Sequence, residues 1–312
     1  MTLYQYLIVF TGGPTLSFME FKKITLGDID RLKPFFPYAD GRTCDYSVGG
    51  VFIWRDFFRM EYCIEDNVLY SRLHDPEWIG HYNLPLAEDI PAALMHLLRS
   101  LKPELAQVRF TTVPEPYLPM FKELCDIVFI AEQREYMDYL YSAEELANLS
   151  GRKFHGQKNL VNAFIRENPD WSFEAIGPEN LPEVRAFFEA DYQSDKDLPP
   201  SGQEEELKTF EVLDNLEQYG FQGWVLKAAG QVLGFTLGEV IGDTCYAHTE
   251  KADRNRKGAY QMVFHQFAKQ LVSQGVTYIN REDDMGDLGL RTAKLALHPV
   301  DTLKKYMIEV RT

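Results

Sequence analysis

The chain predicts an α+β fold in two halves, each a mixed, mostly antiparallel sheet flanked by helices in three layers. Three observations predict it. The 312 residues are about twice a usual domain length. Short apolar strand candidates alternate with amphipathic helix candidates in both halves. Three adjoining strand candidates, 223–228, 232–241 and 244–250, are joined by turns at Ala229-Gly230 and Gly242-Asp243, which makes an antiparallel meander. The expected divisions are a disordered extension over 1–18, a first domain over 19–148 and a second over 149–312. Met19, followed at once by a strand-then-helix pattern, is the expected native start.

In order, residues 21–24 read as a strand and 25–36 as a helix, with Thr25 or Asp28 as cap and Pro37 as stop. Residues 45–59, DYSVGGVFIWRDFFR, read as a buried aromatic stretch filling the core with Phe52, Trp54 and Phe57. A hairpin over 62–72 turns at Asp66-Asn67, followed by a helix at 89–101, a strand at 107–111 and a helix at 116–124. Strands at 127–130 and 135–141 close the first half. A basic hinge with Arg152, Lys153 and Lys158 leads into a helix; phosphate holding and a solvated interdomain helix are equally open readings for it. In the second half a strand at 171–176 and a helix at 178–191 precede an acidic segment, 195–206, read as an exposed loop before a helix. After the meander, Lys251–Lys257 leads through Gly258 into a helix whose apolar positions follow the 3.6 period, with His265 on its polar side.

Composition excludes several classes. The net charge of −15 argues against indiscriminate binding to nucleic acid or anionic membranes, so any anion steering is local. Cys44, Cys63, Cys125 and Cys245 form no CxxC pair, which predicts a reduced, cytoplasmic setting and no metal site. The apolar run near the N-terminus is too short to span a bilayer, and no later segment is long enough.

The densest chemistry lies at 280–299, NREDDMGDLGLRTAKLALHP, directly after a strand candidate at 276–279. Asn280, Arg281, Glu282 and Asp283 would then sit at the carboxyl end of a strand, where open sheets place ligands. Asp287 is the expected cap of the following helix, and Arg291 and Lys294 share a helical face. Upstream, Arg254, Asn255, Arg256 and Lys257 precede the Gly258-Ala259 helix start. Cationic side chains, free N–H groups and the helix dipole together make an anion site.

The order of meander, basic turn, glycine, helix, short strand, helix and last strand resembles the core of a GNAT acyltransferase. The usual acetyl-coenzyme A loop begins with Arg or Gln and ends with Gly or Ala; here Asn255 and Tyr260 occupy those places. Three pieces, SGRKFHGQKNLVNAF, the basic helix start and NREDDMGDLGLRTAKLALHP, resemble the soluble C-terminal domain of phosphatidylglycerol lysyltransferase. DYSVGGVFIWRDFF is similar to that family's first-domain aromatic stretch, so the resemblance covers most of the chain. It implies a tandem GNAT architecture, shared with Fem-type aminoacyl-tRNA-dependent ligases, with a working cleft in the second domain. The transmembrane segments that precede this domain in the membrane enzyme are lacking here.

The implied reaction is attack of an amine or hydroxyl on an activated acyl carbon. The donor is an aminoacyl-tRNA ester or an acyl-coenzyme A thioester, with no tightly bound cofactor. The acceptor is a small molecule, a peptide or a lipid headgroup. Glu282 is the first candidate base, Asp283 the second and Glu250 the third, and Arg281 is a candidate oxyanion donor. For each carboxylate a salt bridge to Arg281, Arg291 or Lys294 is an equal alternative. Arg254, Asn255, Arg256, Lys257, Gly258 and Ala259 would bind donor phosphates. Asn280, Arg291 and Lys294 would close the other side, and Arg152, Lys153 and Lys158 would line the domain boundary. Tyr246 and His248 would face the cleft from the third meander strand. A catalytically degenerate nucleotide or coenzyme A sensor is the alternative function.

Overall fold

The computed structural model describes residues 19–75, 78–101, 105–194 and 198–312. The extension expected over 1–18 lies outside them. In chain order the strands are β1 (Lys22–Lys23), β2 (Glu61–Glu65), β3 (Val68–Asp75), β4 (Trp78–Tyr82), β5 (Gln107–Pro114), β6 (Asp126–Glu132) and β7 (Asp138–Ser142). They continue with β8 (Ser172–Ala175), β9 (Gln222–Ala228), β10 (Gln231–Ile241), β11 (Thr244–Ala252), β12 (Tyr278–Asn280), β13 (Asp301–Leu303) and β14 (Lys305–Arg311). They form two seven-stranded sheets, ordered β1-β2-β3-β4-β5-β14-β6 and β13-β7-β12-β11-β10-β9-β8. Among the described residues, only β4 with β5 and β11 with β12 pair parallel.

Sheet membership does not divide the chain at residue 148. β7 comes from the first half yet lies between β13 and β12, and the terminal β14 lies between β5 and β6. Each sheet is therefore completed by a strand from the other half. One core is built on the first sheet and extends onto helices Leu181–Ser194 and Pro200–Asp214 through Val184, Phe188, Val212 and Leu213. The other lies under helix Ala259–Ser273, whose Met262, Val263, Phe267 and Leu271 pack on Leu226, Cys245 and Ala247.

The meander is found at β9 to β11, and the hairpin turns at Asp66-Asn67, both at positive φ. That geometry suits a two-residue turn joining twisted strands. Four expectations are corrected. The helix at 25–36 is broken into a 3-10 turn, one α turn and a second 3-10 stretch, because Pro34 and Pro37 lack N–H donors. The strand expected at 135–141 begins at Asp138 after a short turn. The acidic segment is not a loop from Pro200 onward: Pro200 opens a helix, and the buried Lys208, paired with Glu211 in the same helix, anchors it to Asp56. Residues 195–197 of that segment lie outside the described residues. His265 is buried rather than solvated, with Nδ1 bonded to the Leu146 carbonyl at 2.9 Å.

Candidate functional site

β11 pairs with β12 only over Thr244–Tyr246 and Tyr278–Asn280, then continues to Ala252 paired with β10 on its other side. The two parallel strands splay there, at their carboxyl ends, and a cavity of about 1160 Å3 opens between the sheets. Arg254, Arg256, Lys257 and Gly258 line it. So do Glu250, Arg281, Glu282, Asp283 and Lys294, and Cys44, Asp45, Trp54 and Phe57 come from the first half.

The loop after β12 is held in a constrained shape. Glu282 has φ of 57°, its N–H donates to Asn280 Oδ1 at 2.7 Å, and its carbonyl accepts from the Tyr139 N–H. Lys294, buried and with its pKa lowered by burial, donates to the carbonyls of Arg281 and Asp283. It therefore pins the loop rather than presenting a charge to a phosphate. Asp287 caps the next helix as expected, accepting from Leu290 N–H at 2.7 Å.

This loop gives the candidate carboxylates different environments. Glu282 accepts from His248 Nδ1 at 2.7 Å, and His248 Nε2 reaches Glu239 at 2.9 Å. Burial alone would lower the imidazole pKa, but hydrogen bonds to Glu239 and Glu282 raise it to about 9. At neutral pH both ring N–H groups therefore donate. Glu250 is bound to Arg281 Nε at 2.5 Å, with the Arg281 guanidinium over the Tyr141 and Phe264 rings. For Glu282 the expected cation is replaced by His248; for Glu250 the salt-bridge alternative is what forms.

Asp283 differs. Burial pushes its carboxyl up to about 7, against the smaller opposing pull of Lys305. It lines the cavity, and one carboxylate oxygen lies within 4.8 Å of Cys44 Sγ and of an Asp138 oxygen. Lys305 occupies the charge balance of this cluster, with Nζ 2.6 Å from Asp45 and 2.7 Å from Asp138. Burial and the adjacent Asp138 push the Cys44 thiol up, so it is neutral and donates to Asp138. A cation binding Cys44, Asp138 and Asp283 would have to displace that ammonium.

Several expected ligands have other duties. Asn280 is fully buried, donating to the Arg42 carbonyl and Asp138. Arg291 makes two 2.8 Å bonds to Asp284, whose carboxyl they and Tyr139 hold well below the usual range against burial. Arg152, Lys153 and Lys158 are exposed and none lines the cavity; Lys153 pairs with Glu145 at 2.8 Å. Asn255 is exposed with its N–H on Asp253, and Ala259 is buried in the helix start. Tyr246 is buried beside the His248 ring and does not line the cavity.

Glu239 and Gly49 were missed from sequence. Glu239 also accepts the Gly49 N–H at 2.7 Å, which ties the helix Val48–Phe52 of the first half to the second sheet. A Cβ at Gly49 would lie 2.3 Å from the His248 ring, and one at Gly50 would lie 1.8 Å from the Cys44 carbonyl. Two consecutive glycines in a helix start signalled this approach, since each weakens a helix by about 1 kcal/mol. Gly49→Ala is therefore expected to cost about 1–3 kcal/mol and to lower the His248 pKa, read by denaturant unfolding and imidazole NMR titration.

Residues 38–309 match the family model described as the C-terminal domain of phosphatidylglycerol lysyltransferase. The chain belongs to this family. Among solved structures, a conserved protein of unknown function from Bacteroides thetaiotaomicron is 31% identical with a TM-score of 0.82, covering 94% of this chain and all of that one. L-PGS from Bacillus licheniformis is 15% identical with a TM-score of 0.63, covering 90% and 91% of the two chains. FemX is 12% identical with a TM-score of 0.60, covering 94% and 98%. An uncharacterized protein of Mycoplasmoides gallisepticum is 24% identical over 195 residues, and this chain spans 62% of its length. This lysyltransferase-family chain thus shares its fold with L-PGS and FemX, two mixed, mostly antiparallel sheets flanked by helices as its sequence predicted, with a strand exchanged each way. No helix among its described residues is long and apolar enough to cross a membrane.

Proposed function

We propose that this protein transfers an aminoacyl or acyl group from an activated donor to an amine or hydroxyl acceptor, with aminoacyl-tRNA as the first-choice donor. The observation that carries this reading is that Asp283 and the basic turn Arg254–Gly258 line one continuous cavity. The family's description names transfer of a lysyl group, and the ester of an aminoacyl-tRNA is the activated form such a group takes. Acyl-coenzyme A is the other donor, and Asn255 and Tyr260 depart from the loop that usually holds it. Either donor fits a cytoplasmic protein.

In this mechanism the 3′ end of the donor enters past Arg254, Arg256 and Lys257, and its acyl carbon reaches the middle of the cavity. The acceptor nitrogen or oxygen attacks that carbon. The new N–C or O–C bond forms as the ester C–O bond breaks. Asp283 takes the acceptor's proton and passes it to the leaving oxygen. A pKa near the working pH suits a base of this kind. The His248 imidazolium holds Glu282 away from this role and fixes the loop that aims Asp283.

Titration with tRNA tests the donor. Binding is expected to weaken steeply with salt, and Arg256→Ala and Lys257→Ala should each lower the salt slope by about one. Binding of acetyl-coenzyme A with a shallow salt dependence, and none of tRNA, would move the donor to coenzyme A. Binding of neither sinks the reading. The second reading, a sensor without turnover, draws on Glu250, Arg281 and Glu282 all being engaged in ion pairs. A sensor would be unaffected by Asp283→Asn.

A further inference from the structure

The cavity is electrically uneven. The lysines and arginines among its described lining residues, Lys251, Arg254, Arg256, Lys257, Arg281 and Lys294, all come from the second half of the chain. The first half contributes none. Its wall is aromatic and uncharged-polar apart from Asp45, which Lys305 already engages, and the histidines His74, which pairs with Glu61, and His81.

Trp54, Phe57 and Phe58 form the body of that wall. Their rings meet edge-on or tilted, with centroids 5.0 Å apart for Phe57 and Phe58 and 5.9 Å for Trp54 and Phe57. Phe57 keeps 37% of its surface exposed, an unusual state for a ring in such a cluster. Among the described residues, no cation sits over any of the three rings, although ten other cation–ring pairs occur among those same residues. An aromatic face without a resident cation attracts an ammonium and offers nothing to an anion. A phosphate placed there would be desolvated without a positive partner, which is costly.

We infer that the first-half wall of the cavity holds the acceptor, and that this acceptor is an amine on an aromatic or apolar body carrying no phosphate. The inference rests on the transferase reading above and narrows its acceptor, setting a phospholipid headgroup aside. The two walls of the cavity then have separate chemistry. The basic turn meets the donor's phosphates, the aromatic wall meets the acceptor's ammonium, and Asp283 lines the same cavity to take the proton. No acceptor phosphate competes for the basic turn.

The test is binding, which needs no turnover and so stands apart from the transferase reading. Phenylalanine amide is titrated into the full-length protein and followed by calorimetry, with phosphoethanolamine and phosphatidylglycerol vesicles in parallel. Saturable binding of the amide alone is expected. It should weaken about tenfold in Trp54→Ala and in Phe57→Ala, and remain unchanged in Lys257→Ala. Phe57→Leu, which keeps an apolar side chain at a partly exposed position, guards against misfolding; circular dichroism checks each variant. No binding of the amide, binding that survives both aromatic substitutions, or Phe57-dependent binding of either phosphate compound overturns the inference. Loss of transfer activity with amide binding intact would instead remove the transferase reading.

Discussion

Asp283→Asn is expected to lower turnover by roughly 10²–10⁴ while donor binding stays near its wild-type strength. The same substitution should make the protein more stable at pH 8. These two outcomes share a cause. In the folded protein the Asp283 carboxyl titrates at about 7, well above its ordinary value, because burial disfavours the carboxylate. A carboxyl whose folded pKa is raised binds its proton more tightly in the folded state. Its penalty is therefore absent below the unfolded pKa, grows between about 4 and 7, and is fully present above 7. Asparagine removes the charge, so the variant gains roughly 2–4 kcal/mol at pH 8 and almost nothing at pH 4. Urea unfolding at the two pH values measures this difference. A structural carboxylate would behave oppositely and lose stability when replaced. Turnover of the wild type should rise with pH through about 7, where Asp283 loses its proton. A flat profile would assign the proton to another group.

Much of this arrangement was legible in the residues and some was not. The meander, its two turns and the amphipathic helix after Gly258 follow from local patterning, which short-range physics controls. The motif at 280–299 marked the right loop because it packs so many charges behind a strand. Ranking its carboxylates was beyond the sequence, since it required knowing that His248, 34 residues upstream, reaches Glu282 and leaves Asp283 facing the cavity. The basic hinge left two readings open, and the solvated one fits: Arg152 and Lys153 lie on an exposed 3-10 turn and Lys158 on the exposed side of the next helix, while the neighbouring Gln157 and Leu160 line the cavity. The strand exchange also has no local signature. Nothing in Asp138–Ser142 or Lys305–Arg311 says which sheet each joins, because partner choice depends on chain path and on pairing across some 170 residues of sequence.

The exchange nonetheless left a chemical trace in Lys305, and replacing that residue tests how the sheets are held together. Lys305 opens β14 in the first sheet and Asp138 opens β7 in the second, both fully buried, with Asp45 completing the triad from the first half. The ammonium thus fastens two strands that each sit in the sheet built mainly by the other half. Burial works against its charge, but Asp138 and Asp45 outweigh that and raise its pKa well above the ordinary lysine value. Lys305→Met keeps the side-chain length and removes the charge, which leaves two carboxylates buried with no cation between them. The expected cost is about 3–5 kcal/mol, a large share of a stability that is usually about 5–15 kcal/mol. The loss should depend on pH. Without the ammonium the orphaned carboxyls hold their protons more tightly when folded than the roughly 3.9 of an unfolded aspartate. The destabilisation is therefore small at low pH and grows as pH rises past that value. Converting Asp45 and Asp138 to asparagine in the Lys305→Met background should recover most of the stability, because the penalty belongs to unpaired charge and not to lost contacts. Chemical denaturation of the single and triple variants across pH 4 to 8 measures both effects; a triple variant as unstable as the single one would show that packing around the lysine stem, rather than its charge, joins the sheets.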